Sequence, residues 1–163
     1  MTPKIVNFEA VKVAGYLHKT SHKNNTVPAF WQELLADGRH TSLHESAWVA
    51  DHCDYGVCFD ADAEGFSYIV GLGIKSGETV PGDLATIDIP AGEYAVLTAT
   101  VSKIGETYGA LMQWFETNGE YSQADEGIDF ELYRCECKDD FVCDACKSGD
   151  MQCDIYFKVK RNK

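Results

Sequence analysis

Hydrophobic side chains recur at helical spacing shortly after the first twenty-five residues of the chain. Offsets of three, four, seven and eight residues place them on one face of a helix, and the five residues are Val27, Phe30, Trp31, Leu34 and Leu35. Thr26 is suited to cap this helix, and Pro28 fits its first turn. The pattern therefore predicts a helix that ends near Asp37 and Gly38, preceded by an extended segment over residues 11–21.

The same pattern recurs 81 residues further along the chain, which identifies an internal repeat. The aligned pairs are Ala14 with Ala95, Val27 with Tyr108, Phe30 with Leu111, Trp31 with Met112, Leu34 with Phe115 and Gly38 with Gly119. Residues 92–97 are typical of a strand, and Ser102 is suited to cap a second helix. The apolar stripe of that helix consists of Ile104, Tyr108, Leu111, Met112 and Phe115. The second helix is predicted to end at Asn118 and Gly119.

Two extended segments follow each predicted helix. They span residues 55–60 and 66–74 in the first half and residues 130–138 and 154–160 in the second, and each pair is typical of a β-hairpin. The repeated unit is thus strand, helix, strand, strand, which predicts an α+β fold. We expect the two units to form one antiparallel sheet, with both helices on one face and a ligand cleft on the other, at the junction of the halves.

The chain length of 163 residues fits a single domain over 1–163. We expect pseudo-repeats at approximately 4–76 and 84–161, with a cysteine-rich loop at 135–153. No apolar stretch approaches the ~20 residues of a membrane-spanning helix. The first twenty residues also contain no continuous apolar region of the kind found in secretory signals. The sequence therefore predicts a cytoplasmic protein with no membrane partner.

The charge balance is strongly acidic. Fourteen Lys and Arg residues stand against 26 Asp and Glu residues, which gives a net charge of -12. Such a field repels phosphate backbones at long range and attracts cations. The composition therefore argues against nucleic acid as a direct partner.

Three segments of the second half carry a family resemblance. They are Ile89-Pro90-Ala91-Gly92-Glu93-Tyr94-Ala95-Val96, Gly105-Glu106-Thr107-Tyr108 leading to Leu111 and Trp114, and Asp129-Phe130-Glu131-Leu132-Tyr133. With the duplicated unit they resemble the GyrI-like family, which includes the effector-binding domains of AraC- and MerR-type multidrug-responsive regulators. The resemblance covers almost the whole chain and implies a small-molecule-binding cleft. Residues 1–11 leave no room for a helix-turn-helix region, so we expect a stand-alone binding domain.

Glu131 is the candidate for the main ligand contact. Alternation of Phe130 and Leu132 with Glu131 and Tyr133 places the carboxylate on the face opposite the apolar pair. If Phe130 and Leu132 pack under the helices, Glu131 faces the cleft; a solvent-exposed strand glutamate is the alternative. A carboxylate in an aromatic cleft attracts a lipophilic cation, and the resemblance implies this use because regulators of the family bind ligands through such a glutamate.

Aromatic side chains are expected to form the rest of the cleft. The candidates on predicted strands are Tyr55, Tyr68, Tyr94 and Tyr133, of which Tyr68 and Tyr133 rank highest. Trp48 lies in the irregular segment 39–54, where it either forms a lid or wall of the cleft or packs beneath the loop. Trp114 either borders the cleft or widens the buried face of its helix, and core packing is favoured.

Two groups of residues have spacings that suggest a metal. Two close pairs able to enclose a structural zinc ion are formed by Cys135, Cys137, Cys143 and Cys146. Free thiols in a reducing cytosol or adventitious oxidation are the alternatives. His40 and His44 are four residues apart, but no H-E-x-x-H pattern is present and Arg39 adds positive charge. We therefore interpret them as solvent-facing loop histidines. For the protein as a whole, we expect that no cofactor is required.

Two further motifs are interpreted structurally. The segment 60–65 begins like a calcium loop, but Gly71 stands where a bidentate glutamate is needed, so the segment is predicted to be a turn. Gly71 and Gly73 lie within a strand, where they are expected to allow close approach of a ligand or of neighbouring backbone.

The sequence and the resemblance together predict a binder of amphipathic, cationic aromatic compounds that acts in drug sensing or sequestration, with a small hydrophobic or cationic ligand as its partner. The resemblance leaves two alternatives open. One is a hydrolase of cyclopropane-containing alkylating compounds, with Glu131 as general base. The other is an interaction protein like the relatives that inhibit DNA gyrase, and a regulatory protein partner also stays open.

Overall fold

A computed structural model describes residues 1–134 and 151–163 of the chain. The described residues form a mixed α+β fold with nine strands and three α-helices. The strands are β1 (Lys4–Phe8), β2 (Val11–Ser21), β3 (Asp54–Phe59), β4 (Gly65–Gly73), β5 (Ala85–Ile89), β6 (Gly92–Thr100), β7 (Tyr121–Gln123), β8 (Asp129–Tyr133) and β9 (Gln152–Arg161). The helices are α1 (Val27–Ala36), α2 (Arg39–His44) and α3 (Ile104–Thr117), the last preceded by a 3₁₀ turn at Val101–Lys103.

The chain forms two compact units. Residues 10–90 make one unit, which we call the inserted unit because it interrupts the other in sequence. Residues 1–9 and 91–163 make the second, which we call the flanking unit.

The inserted unit contains a four-stranded antiparallel sheet in the order β3-β4-β2-β5. Helix α1 packs Phe30 and Leu34 against Tyr68 and Val70 of β4. A second apolar cluster joins α2 and the segment after it to β2 and β4, and its buried members are Ala14, Leu43, Trp48, Val49 and Leu72. Leu35 is 53% exposed, so the buried face of α1 is narrower than the predicted stripe.

The flanking unit contains an antiparallel sheet in the order β1-β6-β9-β8, with β7 also paired to β9. Helix α3 packs Leu111 on one face of this sheet, against Leu97, Ile155 and Phe157. Lys103 rather than Ser102 is the residue at the N-cap of α3, because Ser102 lies in the 3₁₀ turn.

Both units repeat the same order of elements, which confirms the predicted duplication of strand, helix, strand, strand. In each, the hairpin strands β3 and β4, or β8 and β9, lie beside the opening strand β2 or β6. The edge strands were not predicted. Strand β1 precedes β2 in sequence but pairs with β6, and β5 precedes β6 but pairs with β2.

Glycines allow strands β2 and β4 to pair closely. Gly15 and Gly71 are partners in the register, and a Cβ on either would overlap a backbone carbonyl of the opposite strand. The prediction of close backbone approach is therefore confirmed at Gly71. At Gly73 neighbouring backbone is not close, because a Cβ would meet only the side chain of Val11 at 3.5 Å and that of Ala50 at 4.0 Å, and the approach of a ligand there stays a prediction.

The segment between β3 and β4 is a turn, as predicted. The carboxylate of Asp62 accepts hydrogen bonds from the backbone N–H groups of Glu64 and Gly65 at 2.8 and 2.9 Å. These bonds lower the pKa of Asp62.

None of the three helices in the described part of the chain is long and apolar enough to cross a bilayer.

Candidate functional site

Glu131 is a buried carboxylate held by two phenols. It lies on β8 with 6% of its surface exposed. One oxygen accepts a hydrogen bond from the Tyr108 hydroxyl at 2.8 Å, and the other accepts one from the Tyr133 hydroxyl at 2.8 Å. Tyr108 comes from α3, whereas Tyr133 lies two residues after Glu131 on the same strand and so on the same face. The carboxylate is thus fixed in orientation from both a helix and a strand.

The face of the sheet that carries Glu131 is the face covered by α3. Ile155, the register partner of Glu131, belongs to the cluster around Leu111 of α3. Phe130 points to the opposite face, where it stacks on Tyr156 with ring centroids 4.5 Å apart and also contacts Phe8. Phe130 therefore does not pack beneath α3, which was the condition for Glu131 to face a cleft opposite the helices. The alternative of a solvent-exposed glutamate does not hold either, because Glu131 is 6% exposed. Alternation groups side chains by face, but it does not say which face a helix covers when both are buried.

Apolar side chains lie close to the carboxylate and its two phenols. The ring of Phe157 meets that of Tyr108 edge-on at 5.8 Å. Cys153 is 2% exposed, and its pKa is raised to about 12, first by burial and further by the negative charges of Glu131 and Asp154. The charge of Glu131 therefore acts within a poorly solvated layer, where electrostatic interactions are strong.

The other predicted aromatic residues are distributed over both units. Of these residues, Tyr133 donates a hydrogen bond to Glu131. Tyr68 and Tyr55 are buried in the inserted unit, where the Tyr68 hydroxyl accepts a hydrogen bond from the indole N–H of Trp31 at 3.0 Å. Tyr94 is fully buried on the Phe130 side of the flanking sheet, and burial, assisted by the charge of Glu126, raises its pKa.

The two candidate tryptophans pack against other apolar residues. Trp48 is 5% exposed and belongs to the cluster with Leu43 and Leu72. Trp114 is partly buried beside Phe115 and stacks on Tyr121 with ring centroids 6.1 Å apart. Their part in ligand binding stays a prediction.

Tyr108 is a contact of Glu131 that the sequence pattern does not identify. The helical pattern places it on the apolar stripe of α3. The available signal was the phenol itself, because a buried tyrosine hydroxyl requires a polar partner.

The histidines of α2 form a second polar cluster, within the inserted unit. The Nε2 atoms of His40 and His44 lie 3.0 and 2.8 Å from the carboxylate of Asp54, the first residue of β3. The three side chains are only 15–22% exposed. The interpretation of His40 and His44 as solvent-facing loop residues is therefore wrong, because residues 39–44 form a helix that turns both rings toward Asp54.

Hydrogen bonds lower the pKa of Asp54. Burial acts to raise the pKa of its carboxyl, but the hydrogen bonds and charges of His40 and His44 outweigh that effect and lower the pKa. Among the described residues, these three are the group of histidine, cysteine and acidic side chains whose ligand atoms lie close enough to hold a metal ion.

The zinc site predicted at the cysteine cluster stays a prediction, because its ligands lie outside the described residues: Cys135, Cys137, Cys143 and Cys146.

The duplicated α+β fold of the described residues is one that small-molecule-binding domains adopt. The chain belongs to the GyrI-like family, since the model of the GyrI-like small molecule binding domain matches residues 1–160. It is therefore a small-molecule-binding domain. No curated protein matches the chain at a significant level.

Solved structures share this fold at low sequence identity. SAV2435 bound to tetraphenylphosphonium superposes with a TM-score of 0.70 at 14% identity, over 98% of this chain and 94% of that one. The C-terminal domain of EcmrR gives 0.68 at 14% identity, over 98% and 97%. A hydrolase encoded by lin2189 from Listeria innocua gives 0.52 at 11% identity, over 98% and 92%. At these identities the likeness establishes the fold alone.

Proposed function

We propose that this domain binds amphipathic, cationic aromatic compounds and that Glu131 is the anionic contact for their positive charge. Binding would serve sensing or sequestration. The observation that carries the proposal is the burial of Glu131 between the hydroxyls of Tyr108 and Tyr133.

The physical argument rests on desolvation. Holding a carboxylate away from water is costly, and a cation that replaces water beside it recovers part of that cost. A lipophilic cation suits such a place better than a metal ion or an ammonium group, because less hydration is lost when it enters an apolar layer. The faces of Tyr108 and Tyr133 add a favourable interaction with the cation.

Access to the carboxylate requires a small rearrangement. Because Glu131 is 6% exposed, a ligand as large as an aromatic drug reaches it only when Tyr108 or Tyr133 moves aside. Tyr108 lies on α3, so a shift of that helix opens the carboxylate. The tetraphenylphosphonium bound to SAV2435, a protein of the same fold, is a ligand of this chemical class and supports the assignment.

Tetraphenylphosphonium titration of wild type and Glu131→Gln tests the proposal. Glutamine keeps the shape and removes the charge, so we expect cation binding to weaken by about 1–3 kcal/mol. Triphenylphosphine oxide, a neutral analogue, is expected to bind both proteins equally. Isothermal titration calorimetry measures both affinities, and Glu116→Gln, at an exposed position of α3, is the control for the change in net charge.

Two results would contradict the proposal. Equal losses for the cation and the neutral analogue in Glu131→Gln would remove Glu131 as the charge contact. Mass spectrometry of the recovered compounds separates a binder from the alternative hydrolase, because conversion that depends on Glu131 would show turnover.

A further inference from the structure

We propose that His40, His44 and Asp54 bind a divalent transition-metal ion, for which Zn²⁺ is the reference, and that His52 positions His44 for this role. The proposal concerns the inserted unit and does not depend on the ligand site at Glu131.

The ligand atoms are already close to the geometry that a metal needs. A tetrahedral zinc ion with bonds of about 2.0–2.1 Å holds its ligand atoms about 3.3 Å apart. The Nε2 atoms of His40 and His44 lie 3.0 and 2.8 Å from Asp54 oxygens, and all three ligand atoms fall within 4.8 Å of one another. Small side-chain rotations are therefore enough to admit the ion.

The local sequence explains this convergence. His40 and His44 are separated by one turn, so α2 presents both rings on one face. The chain then returns through residues 45–53, and Asp54 begins β3 opposite that face. Two imidazoles and one carboxylate form a donor set that binds zinc or iron(II) and leaves at least one coordination position open to water.

His52 supplies the support that metal-bound histidines usually have. Its Nδ1 atom lies 3.0 Å from Nδ1 of His44, so one of the two nitrogens donates and the other accepts. In the metal-free arrangement Nε2 of His44 donates a proton to Asp54, and a bound metal ion displaces that proton to solvent. When the Nδ1 proton of His44 is at the same time donated to His52, the Nε2 lone pair is available to the metal. A ligating histidine is commonly held in this way by an acceptor on its other nitrogen.

The charge of Arg39 does not oppose a cation here. Its guanidinium lies 2.7 Å from Asp37 and 2.9 Å from Glu33, and it stacks over the ring of Tyr16. The net charge of -12 also raises the local concentration of cations.

The first experiment titrates the untagged full chain, freed of metal under reducing conditions, with Co²⁺. Cobalt bound to nitrogen and oxygen gives visible bands without the near-ultraviolet charge-transfer band of a thiolate site, so binding by cysteines is distinguished. We expect one equivalent of this type, displaced by Zn²⁺. It should be lost in His44→Gln and Asp54→Asn and retained in His22→Gln, whose exposed histidine lies in the same unit.

His52→Gln gives a graded result. Loss of a supporting partner lowers metal affinity about 10–100-fold, so competition with a chelator should show a weakened rather than an abolished site. Unchanged Zn²⁺ affinity in His52→Gln would remove the positioning role of His52.

A measurement on the wild-type chain covers the case in which variants fail to fold. Zn²⁺ should protect His40 and His44, but not His22, from acylation by diethyl pyrocarbonate, as read by peptide mass spectrometry. Equal modification with and without Zn²⁺ would overturn the proposal, as would cobalt binding of equal stoichiometry and affinity in His44→Gln and Asp54→Asn.

Discussion

Trp48 is a buried residue whose indole N–H lowers the stability of the folded protein. It is 5% exposed, and its indole N–H has no hydrogen-bond acceptor among the described residues. A buried donor without a partner costs about 1–3 kcal/mol. The packing of the large ring in the cluster with Leu43 and Leu72 offsets that cost.

We expect Trp48→Phe to be nearly neutral, because it removes the unpaired N–H together with part of the ring. Trp48→Ala should destabilise the protein by about 3–5 kcal/mol through the cavity it leaves. Urea unfolding measures both changes. A lower tetraphenylphosphonium affinity in Trp48→Phe at unchanged stability would instead support the ligand-wall role predicted from the sequence.

Single residues show where sequence reasoning reached its limit. Periodicity identified Tyr108 as an inward-facing residue of α3, but it contains no information about the strand residue that its hydroxyl meets. His40 and His44 have metal-binding spacing, yet their third partner, Asp54, belongs to the next strand and not to the same helix. A local sequence pattern therefore does not identify contacts between residues that are far apart in the chain.

At the scale of elements, the pairing of β2 with β4 depends on glycine. Gly71→Ala should destabilise the protein by more than about 2 kcal/mol, because the methyl group would overlap the Ala14 carbonyl and force the strands apart. Gly73→Ala, in the same strand, is the control and should change the unfolding free energy by less than about 1 kcal/mol. Thermal or urea unfolding compares the two variants, and equal losses would show that close strand approach is not the cause.

The elements that the sequence predicted are those with a strong local pattern. Strands β2, β3, β4 and β9 and helices α1 and α3 fall close to their predicted bounds. The short helix α2 has six residues and a single buried one, Leu43, so it lacks an amphipathic stripe. Strands β1 and β5 are five residues long and pair with strands distant in sequence, which explains why they were missed.

At the scale of the whole molecule, the flanking unit is built from two separated stretches of chain. Strand β1 adds Phe8 to an aromatic cluster, where its ring contacts Tyr94, Phe130 and Tyr156 at centroid distances of 5.1–5.6 Å. The N-terminal stretch thus completes both the sheet edge and the core of a unit whose other residues come from the second half of the chain.

Removal of residues 1–9 should weaken the flanking unit selectively. The amides of β6 that pair with β1 are expected to exchange with solvent deuterium much faster, whereas those of β2 and β4 should keep their protection. Hydrogen exchange followed by mass spectrometry reports both units in one sample. Phe8→Ala is the milder variant, which removes the ring and keeps the strand. A uniform loss of protection over both units would show that they unfold together.

The insertion of one unit within the other also sets an order of events during protein synthesis. The ribosome releases β1 first, but Gly92, which pairs with Phe8, follows it by 84 positions. At about 5–20 residues per second this gap lasts about 4–17 seconds. Every strand of the inserted unit emerges within that time. The inserted unit is therefore able to fold while β1 is still unpaired. A pause in translation after residue 90 would lengthen the exposure of Phe8 and the unpaired edge of β1, and such an edge is where association between nascent chains begins.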